Sequence, residues 1–308
     1  MDLSIVIPIY NEAQNIPLLY QRLHDVLSTL PQRYEIILVN DGSRDASASL
    51  LDGLYAQDAE HVRVIHFNGN FGQHMAIIAG FEQSTGQTVI TLDADLQNPP
   101  EEIPKLLAAI AKGHDIVEGV RQVRKDNAFR RYASKLNNWM RQKTTGICLQ
   151  DQGSMLRAYD RRVIDLMLMS KERSTFIPAL AYSYASNPGF ITVEHAERNS
   201  GKSKYSVVRL LRLHFDLMAG FSSAPLQFVT LTGMGVSLLS FLFFLYMLLR
   251  RVIIGPEAEG LFTLFAIQFF LLGLLLFSLG IVGEYIGRIY LEVRQRPRYV
   301  IKKILPEK

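Results

Sequence analysis

Residues 91–101 of the chain read TLDADLQNPPE. A short apolar run, Thr88–Leu92, leads into this stretch, and a helical pattern follows it at Glu101–Ala111. Apolar runs of this length that end in turn-forming residues are typical of buried strands. The stretch therefore predicts two carboxylates, Asp93 and Asp95, at the carboxyl end of a buried strand.

The same alternation of strand and helix extends on both sides of this stretch. A helical pattern follows the first strand as far as about Leu30, and another covers Gln73–Gln83. The other predicted strands are Leu3–Ile9, Glu35–Val39, Val62–Phe67, Asp115–Val120, Met155–Tyr159 and Gly189–His195. Repeated strand–helix units with apolar strands predict an α/β domain with a mostly parallel sheet covered on both faces. Ligands bind such sheets at the carboxyl ends of the strands, where the polar residues of this chain cluster.

The Asp93-x-Asp95 pair is a candidate cation site. Carboxylate oxygens suit Mg²⁺ or Mn²⁺, which keep several waters and bind substrate phosphates. Two carboxylates so close together repel each other, and a bound cation relieves that repulsion. A second acidic cluster follows an earlier strand at Asn40 and Asp41. The alternative reading of the pair, which the spacing alone leaves open, is two solvated turn aspartates.

Two long runs without charge follow residue 200, at Leu217–Leu249 and Leu261–Gly283. Each is longer than the roughly 20 helical residues that cross a bilayer, whereas strands are usually shorter than about ten residues. We predict a cytoplasmic catalytic domain at 1–205, an interfacial amphipathic helix at 206–224, a two-helix transmembrane hairpin at 225–283 and a cytoplasmic tail at 284–308. A core-facing helix with a charged outer side is the alternative for the interfacial segment.

The charge distribution points to a lipid surface. The formal net charge is only +4, and basic residues flank the apolar runs, whereas the connector carries only Arg250 and Arg251. This asymmetry predicts that both termini are cytoplasmic. The N-terminus lacks the pattern of a signal peptide. Anionic headgroups or a phosphate-bearing substrate fit this charge better than nucleic acid, which we do not expect as a partner. The single Cys148 excludes an internal disulfide and a multi-cysteine metal site.

Three ordered motifs resemble glycosyltransferase family 2, whose members have the GT-A fold. They are residues 6–12 (VIPIYNE), 39–43 (VNDGS) and 92–95 (LDAD). The longer run 93–101 and the segment 283–290 (GEYIGRIY) resemble the branch that uses polyprenyl phosphates. The resemblance covers essentially the whole chain and implies metal-dependent transfer of a sugar from a nucleotide donor to a lipid phosphate in the bacterial inner membrane.

Four further segments resemble the undecaprenyl-phosphate 4-deoxy-4-formamido-L-arabinose transferases: 70–74 (NFGQH), 172–178 (ERSTFIP), 195–198 (HAER) and 296–299 (RPRY). This likeness implies the UDP-linked formamido sugar as donor, undecaprenyl phosphate as acceptor, and a role in lipid A modification and polymyxin resistance. Asn40 stands where that group typically has Asp, and 199–202 (NSGK) also departs from it. The sugar therefore stays open, with a bactoprenol glucosyltransferase that uses UDP-glucose as the alternative.

The family resemblance also implies roles for individual residues. The nucleotide site comprises Pro8, Tyr10, Asn11, Glu12, Asp41, Asp93 and Ala94. The metal ligands are Asp93, Asp95 and Gln97. The acceptor phosphate is bound by Arg121, Arg130, Arg131 and Ser134. A flexible basic loop with Arg198, Ser203 and Lys204 closes over the diphosphate. The expected catalytic residues are Asp93, Asp95, Arg121, Arg130, Ser134 and Lys204. A juxtamembrane patch that attracts anionic lipid is a second reading of the basic loop.

The expected nucleophile is the lipid phosphate itself. Its second pKa is about 6, so it is largely anionic at neutral pH and needs orientation rather than a general base. A single displacement inverts the anomeric centre. The roles of His74 and Asp151 remain open between contact with substrate and a structural one.

Two other functions are possible on the pattern of the chain. A processive polysaccharide synthase shares the acidic motifs, but two membrane helices are too few for a translocation channel. A non-catalytic nucleotide- or lipid-binding membrane protein does not account for the retained set of Asp93, Asp95, Gln97, Arg121 and Lys204. Residues 283–287 (GEYIG) permit close helix packing, which allows a homo-oligomer without fixing its stoichiometry.

Overall fold

The computed structural model describes residues 1–121, 155–170, 176–194, 224–255, 261–294 and 296–306. The chain separates into two units. The first comprises Met1–Gln142, Gly146–Lys204 and Arg296–Lys308, and the second comprises Lys143–Thr145 and Tyr205–Gln295.

The first unit is built on an eight-stranded sheet. Its strands are β1 (Leu3–Ile9), β2 (Tyr34–Asn40), β3 (Val62–Phe67), β4 (Thr88–Thr91), β5 (Ile116–Arg121), β6 (Arg157–Asp160), β7 (Pro188–Val193) and β8 (Ile301–Leu305). Their order across the sheet is β7-β5-β6-β4-β1-β2-β3-β8. The pairs β1–β2, β1–β4, β2–β3 and β5–β7 are parallel, whereas β6 and β8 pair antiparallel to their neighbours. The predicted α/β class with a mostly parallel sheet is confirmed.

Helices cover both faces of the sheet. They are α1 (Ile16–Leu27), α2 (Ser47–Gln57), α3 (Gln73–Gln83), α4 (Ile103–Ala111), α5 (Arg161–Met169) and α6 (Ile177–Tyr184), with a 3₁₀ turn at Pro100–Glu102 before α4. Alternate residues of β1 point to opposite faces because the side-chain period of a strand is two. Ile5 and Ile7 pack with α1, α2 and α4, whereas Val6 packs with α3, α5 and α6.

The parallel register brings the loops after β1, β2 and β4 to one edge of the sheet. Ile9 at the end of β1 is paired with Asn40 at the end of β2. On the other side of β1, Val6 is paired with Thr91, the last residue of β4. The acidic stretch that follows β4 therefore lies beside the two loops that carry the expected nucleotide-binding residues.

The C-terminal segment of the chain belongs to this sheet. The sequence pattern predicts only a tail at 284–308 and does not predict β8, which pairs antiparallel with β3 through contacts such as Val64 with Leu305. Tyr299 stacks on Phe67 with ring centroids 4.8 Å apart. Residues 301–305 thus close an otherwise open edge of β3.

The second unit contains two long helices, α7 (Ala224–Ile254) and α8 (Leu261–Val293). Among the described residues, one segment is long and apolar enough to cross a membrane, Ile267–Gly287 in α8, with a mean hydropathy of 2.1. A shorter apolar stretch, Val229–Phe243, lies in α7. The predicted second span and the domain divisions remain predictions. The predicted interfacial segment lies outside the described residues apart from Ala224, which begins α7.

Candidate active site

The loops after β1 and β2 are joined by hydrogen bonds. The backbone N–H of Asn11 donates to Ser43 Oγ at 3.0 Å, and the N–H of Arg44 donates to Asn11 Oδ1 at 2.8 Å. The N–H of Glu12 donates to Ser47 Oγ at 3.1 Å. Asn11 has a φ of 57°, a left-handed conformation that Asn tolerates better than most residues. The two loops therefore form one continuous surface beside the end of β1.

Of the predicted nucleotide-binding residues, Tyr10, Asn11 and Glu12 follow β1 and lie on this surface. Pro8 is buried within the strand, and Tyr10 directly follows the strand with 44% of its surface exposed. An exposed aromatic ring at the carboxyl end of a parallel strand offers a face on which a planar base can stack. The nucleotide roles of Pro8, Tyr10, Asn11 and Glu12 stay predictions.

Asp41 organises a third loop at the same edge. It is only 2% exposed, and its carboxylate accepts the backbone N–H groups of Phe71 at 2.7 Å and Gly72 at 2.9 Å. The side chain of Asn70 also donates to it at 3.0 Å. Burial raises the pKa of Asp41, while the two backbone N–H groups act in the opposite direction. Asp41 thus holds the loop before α3, in addition to its predicted contact with the base.

A neighbouring glycine allows these loops to approach closely. Gly42 has a φ of +65°, and a Cβ built on it lies 2.3 Å from the carbonyl carbon of Gly69. No side chain larger than hydrogen fits this contact between two backbones, so Gly42 is required by space as well as by conformation.

Asp93 lies after β4, among hydrogen-bond donors. Gln73 Nε2 donates to its Oδ1 at 2.7 Å, and its Oδ2 accepts from Asn98 Nδ2 at 3.3 Å and from Met155 N at 3.2 Å. Burial, and to a smaller extent the charge of Asp95, raise the pKa of the Asp93 carboxyl to about 6. The donors from Met155 and Gln73 act in the opposite direction.

The turn after Asp93 presents the second carboxylate. Asp95 Oδ1 accepts the backbone N–H of Gln97 at 3.1 Å, and Leu96 adopts a left-handed φ of 60°. The residues fit a divalent cation because a cation offsets the repulsion that raises the pKa of Asp93. Within the described ranges, no cluster of three or more His, Cys, Asp or Glu side chains suits a metal. A cation here needs further oxygens from substrate and water, as Mg²⁺ usually does.

A buried ion pair between β5 and β6 lies close enough to Asp93 to act on its charge. Arg157 in β6 and Glu118 in β5 are fully buried, with Arg157 Nη2 2.8 Å from Glu118 Oε1. Tyr182 of α6 donates its hydroxyl to Glu118 Oε2 at 2.9 Å. The positive charge of Arg157 also lowers the pKa of Asp93.

A cavity of about 360 Å³ lies beside the N-terminus of α3. Its described lining comprises Phe71, Gly72, Gln73, His74, Met75, Pro297 and Arg298. His74 contacts the ring of Phe176 edge-on, with centroids 5.3 Å apart. Burial, and to a smaller extent the charge of Arg157, lower the pKa of His74 to about 4. The imidazole is therefore neutral at physiological pH.

Several predicted site residues lie outside the described part of the chain: Arg130, Arg131, Ser134, Asp151, Arg198, Ser203 and Lys204. Arg121 ends β5, on the other side of β6 from β4. Their roles stay predictions. The sequence reasoning missed the support that Gln73, Glu118 and Arg157 give to the site. A charged residue inside each of two apolar strands was the available signal for the buried pair.

Residues 4–167 match the model of a protein family described as glycosyl transferase family 2. The chain belongs to glycosyltransferase family 2. Within this family, it is 48% identical over 304 residues to the undecaprenyl-phosphate 4-deoxy-4-formamido-L-arabinose transferase of Pseudomonas fluorescens, with coverage of 98% of this chain and 89% of the relative. The transferase of the same name from Yersinia pestis is also 48% identical, with 98% and 93% covered.

A solved structure supports the fold. A mannosyltransferase from Pyrobaculum calidifontis, in complex with GDP-mannose and Mn²⁺, superposes with a TM-score of 0.50 at 18% sequence identity. The superposition covers 71% of this chain and 63% of that one. The expected GT-A-like architecture of the sheet is therefore confirmed.

Proposed function

We propose that the protein transfers 4-deoxy-4-formamido-L-arabinose from its UDP donor to undecaprenyl phosphate, for the modification of lipid A and polymyxin resistance. The observation that carries the proposal is the 48% identity, over nearly the full length of both chains, to transferases that bear this activity in their names. That identity extends beyond the 4–167 family region to 98% of the chain.

The geometry of the sheet edge supports a nucleotide-sugar donor. The loops after β1 and β2, which are tied through Asn11 and Ser43, form one wall of the expected nucleotide site. The Asp93-Ala94-Asp95 stretch after β4 forms the other, because β4 pairs directly with β1. We assign Asp93, Asp95 and Gln97 to the metal, and Pro8, Tyr10, Asn11, Glu12, Asp41, Asp93 and Ala94 to the nucleotide.

A divalent cation, Mg²⁺ or Mn²⁺, fits the carboxylate pair. When bound, it would supply Lewis-acid stabilisation of the charge that develops on the leaving diphosphate. The Mn²⁺ named with the Pyrobaculum mannosyltransferase is consistent with this assignment.

The proposed binding site for the acceptor is rich in positively charged arginines. We assign Arg121, Arg130, Arg131 and Ser134 to the lipid phosphate, since guanidinium groups bind phosphate oxygens two at a time. The basic loop with Arg198, Ser203 and Lys204 excludes water from the activated sugar. The phosphate attacks without a general base, and the anomeric centre inverts.

We further propose that α7 is a second membrane span beside α8. On this proposal the protein is a multi-pass protein of the bacterial inner membrane, with its catalytic unit and both termini in the cytoplasm. The exposed apolar side chains along both helices, including Leu239, Phe241, Phe269 and Phe277, suit contact with lipid. The division at 1–205, 206–224, 225–283 and 284–308 follows from this arrangement, and a homo-oligomer through α8 is compatible with it.

Complementation tests the proposed function in a membrane. The full chain is expressed in a Gram-negative host that lacks its own formamidoarabinose transferase, and lipid extracts are analysed by mass spectrometry. The expected result is the reappearance of undecaprenyl phosphate that carries the formamido sugar, together with polymyxin resistance. Asp95→Asn should restore neither, whereas Asp25→Asn, on the exposed side of α1, should restore both. A hexose on the lipid in place of the formamido sugar would support the glucosyltransferase alternative.

A further inference from the structure

Two remote segments meet at the cavity beside α3. Phe71–Met75 form one side of it, and Pro297 and Arg298 form the other. The second segment is held in place by its neighbours: Arg298 donates to the carbonyl of Ser170 at 2.5 Å, and Tyr299 donates to Glu82. The segment that carries Pro297 and Arg298 is therefore fixed against the first unit by hydrogen bonds.

The cavity is connected to the metal-site carboxylate through one side chain. Gln73 lines the cavity, and its amide donates to Asp93 Oδ1 at 2.7 Å. A group bound here thus lies beside the residue expected to bind the donor diphosphate. In a nucleotide-sugar donor, the part attached directly to the diphosphate is the sugar.

The size and lining of the cavity suit a small polar molecule with an apolar side. Its volume of about 360 Å³ is within the range of ~300–1,000 Å³ common for small-molecule sites. Phe71, Met75 and Pro297 supply apolar surface, whereas Gln73, His74 and Arg298 supply polar groups. No carboxylate is present among its described lining residues.

The histidine in this lining has unused hydrogen-bonding capacity. His74 Nδ1 is enclosed and has no hydrogen-bond partner among the residues that the structure describes. An enclosed polar atom without a partner destabilises the folded chain, so a ligand that supplies the missing partner accounts for its presence. Arg298 uses one N–H on Ser170, and a guanidinium group carries five such donors.

We propose that this cavity is the sugar subsite and that His74 and Arg298 bind the 4-formamido group of the donor. The inference rests on the proposed function and deepens it. A formamido group carries one N–H donor and one carbonyl acceptor. The neutral imidazole can accept the N–H once its ring turns toward the cavity, and the guanidinium can donate to the carbonyl oxygen.

Equilibrium binding of three ligands to the full chain in detergent with Mn²⁺ tests the subsite. The ligands are UDP, UDP-L-arabinose and UDP-4-deoxy-4-formamido-L-arabinose. The wild-type protein should bind the formamido donor about tenfold or more tightly than UDP-L-arabinose, as expected for a buried polar group that gains its partners. His74→Leu and Arg298→Met should each reduce that ratio to near one, while the affinity for UDP changes by no more than about twofold.

An unchanged affinity for UDP would show that His74→Leu and Arg298→Met are folded. The conservative variants His74→Gln and Arg298→Lys should regain part of the preference because they restore hydrogen-bonding groups. Matched controls are His24→Leu and Arg296→Met, which replace exposed residues outside the described lining and should keep the full preference.

Two results overturn the subsite and can be told apart. Full preference for the formamido donor in both His74→Leu and Arg298→Met overturns the subsite and leaves the proposed function standing. A wild-type protein that binds the formamido donor no better than UDP-L-arabinose overturns the subsite and counts against the proposed donor as well.

Discussion

The side-chain amide of Gln73 donates a hydrogen bond of 2.7 Å to Oδ1 of Asp93. This bond links the first residue of α3 to the carboxylate that follows β4, two elements that lie 20 residues apart in the chain. Asp93 is also held by Asn98 and Met155, so its position is set from three sides. Carboxylates that bind metals depend on such neighbours for their orientation.

Gln73→Leu should weaken the binding of Mn²⁺. Loss of the donor frees Asp93 to rotate, and changes of this kind typically cost about 10–100-fold in metal affinity or activity. The measurement is UDP binding as a function of Mn²⁺ concentration, where a higher concentration should be needed for half-saturation. Gln83→Leu, at the opposite end of α3, is the control and should behave like the wild type. An unchanged Mn²⁺ dependence in Gln73→Leu would contradict a supporting role for this residue.

Gly42→Ala should destabilise the protein and weaken UDP binding. The new Cβ would meet the backbone of Gly69 at 2.3 Å, in a left-handed conformation that disfavours alanine. Overpacking of this kind costs about 1–3 kcal/mol. The thermal midpoint of the full chain, followed by intrinsic fluorescence, should fall.

Gly53→Ala is the matched glycine control. Gly53 lies in α2, and a Cβ on it meets no atom within 4 Å. Alanine is favoured over glycine inside a helix by roughly 0.5–1 kcal/mol, so the midpoint should rise slightly. Equal effects of the two substitutions would show that the Gly42–Gly69 contact is not the cause.

Arg157→Met should be among the most destabilising single substitutions in the first unit. It leaves Glu118 buried without its ionic partner, a loss that typically costs about 3–5 kcal/mol. Arg162→Met is the matched control, because Arg162 pairs with Asp160 on the surface and is 84% exposed. An exposed pair contributes about 0–1 kcal/mol. The double variant Glu118→Leu with Arg157→Met should recover much of the lost stability, and strict additivity of the two changes would contradict the pairing argument.

Removal of residues 300–308 should make the protein prone to self-association. Without β8 the edge of β3 exposes unpaired backbone groups, which recruit other strands. Gel filtration of the truncated protein in detergent should show larger species than the full chain gives, and the thermal midpoint should fall. Removal of 306–308 alone retains β8 and should leave both unchanged. A monodisperse protein after the longer deletion would mean that β8 does not protect the edge.

Much of the sheet could be predicted from local pattern. The strands Leu3–Ile9 and Val62–Phe67 and the helix Gln73–Gln83 have the predicted bounds, because short apolar runs and helical periodicity are local properties. The acidic stretch after β4 was also placed correctly, since the strand before it is apolar and ends in turn residues.

The features that were missed depend on contacts between remote residues. The strand Ile301–Leu305 is short and contains two lysines, and it forms because the edge of β3 is available about 240 residues earlier in the chain. The local pattern around Arg157 predicts a strand, but its burial depends on Glu118, which is 39 residues away. The Gly42–Gly69 contact could not be predicted either, because no local sequence signal shows which backbone segment a glycine will approach.

The most direct test of the account is sugar transfer by the purified full chain to undecaprenyl phosphate with Mg²⁺ or Mn²⁺. UDP-4-deoxy-4-formamido-L-arabinose and UDP-glucose are supplied side by side, and the lipid product is identified by mass spectrometry. The account predicts selective transfer of the formamido sugar, which Asp95→Asn abolishes and Asp25→Asn preserves. Preferential transfer of glucose, or UDP binding without transfer from either donor, would contradict it.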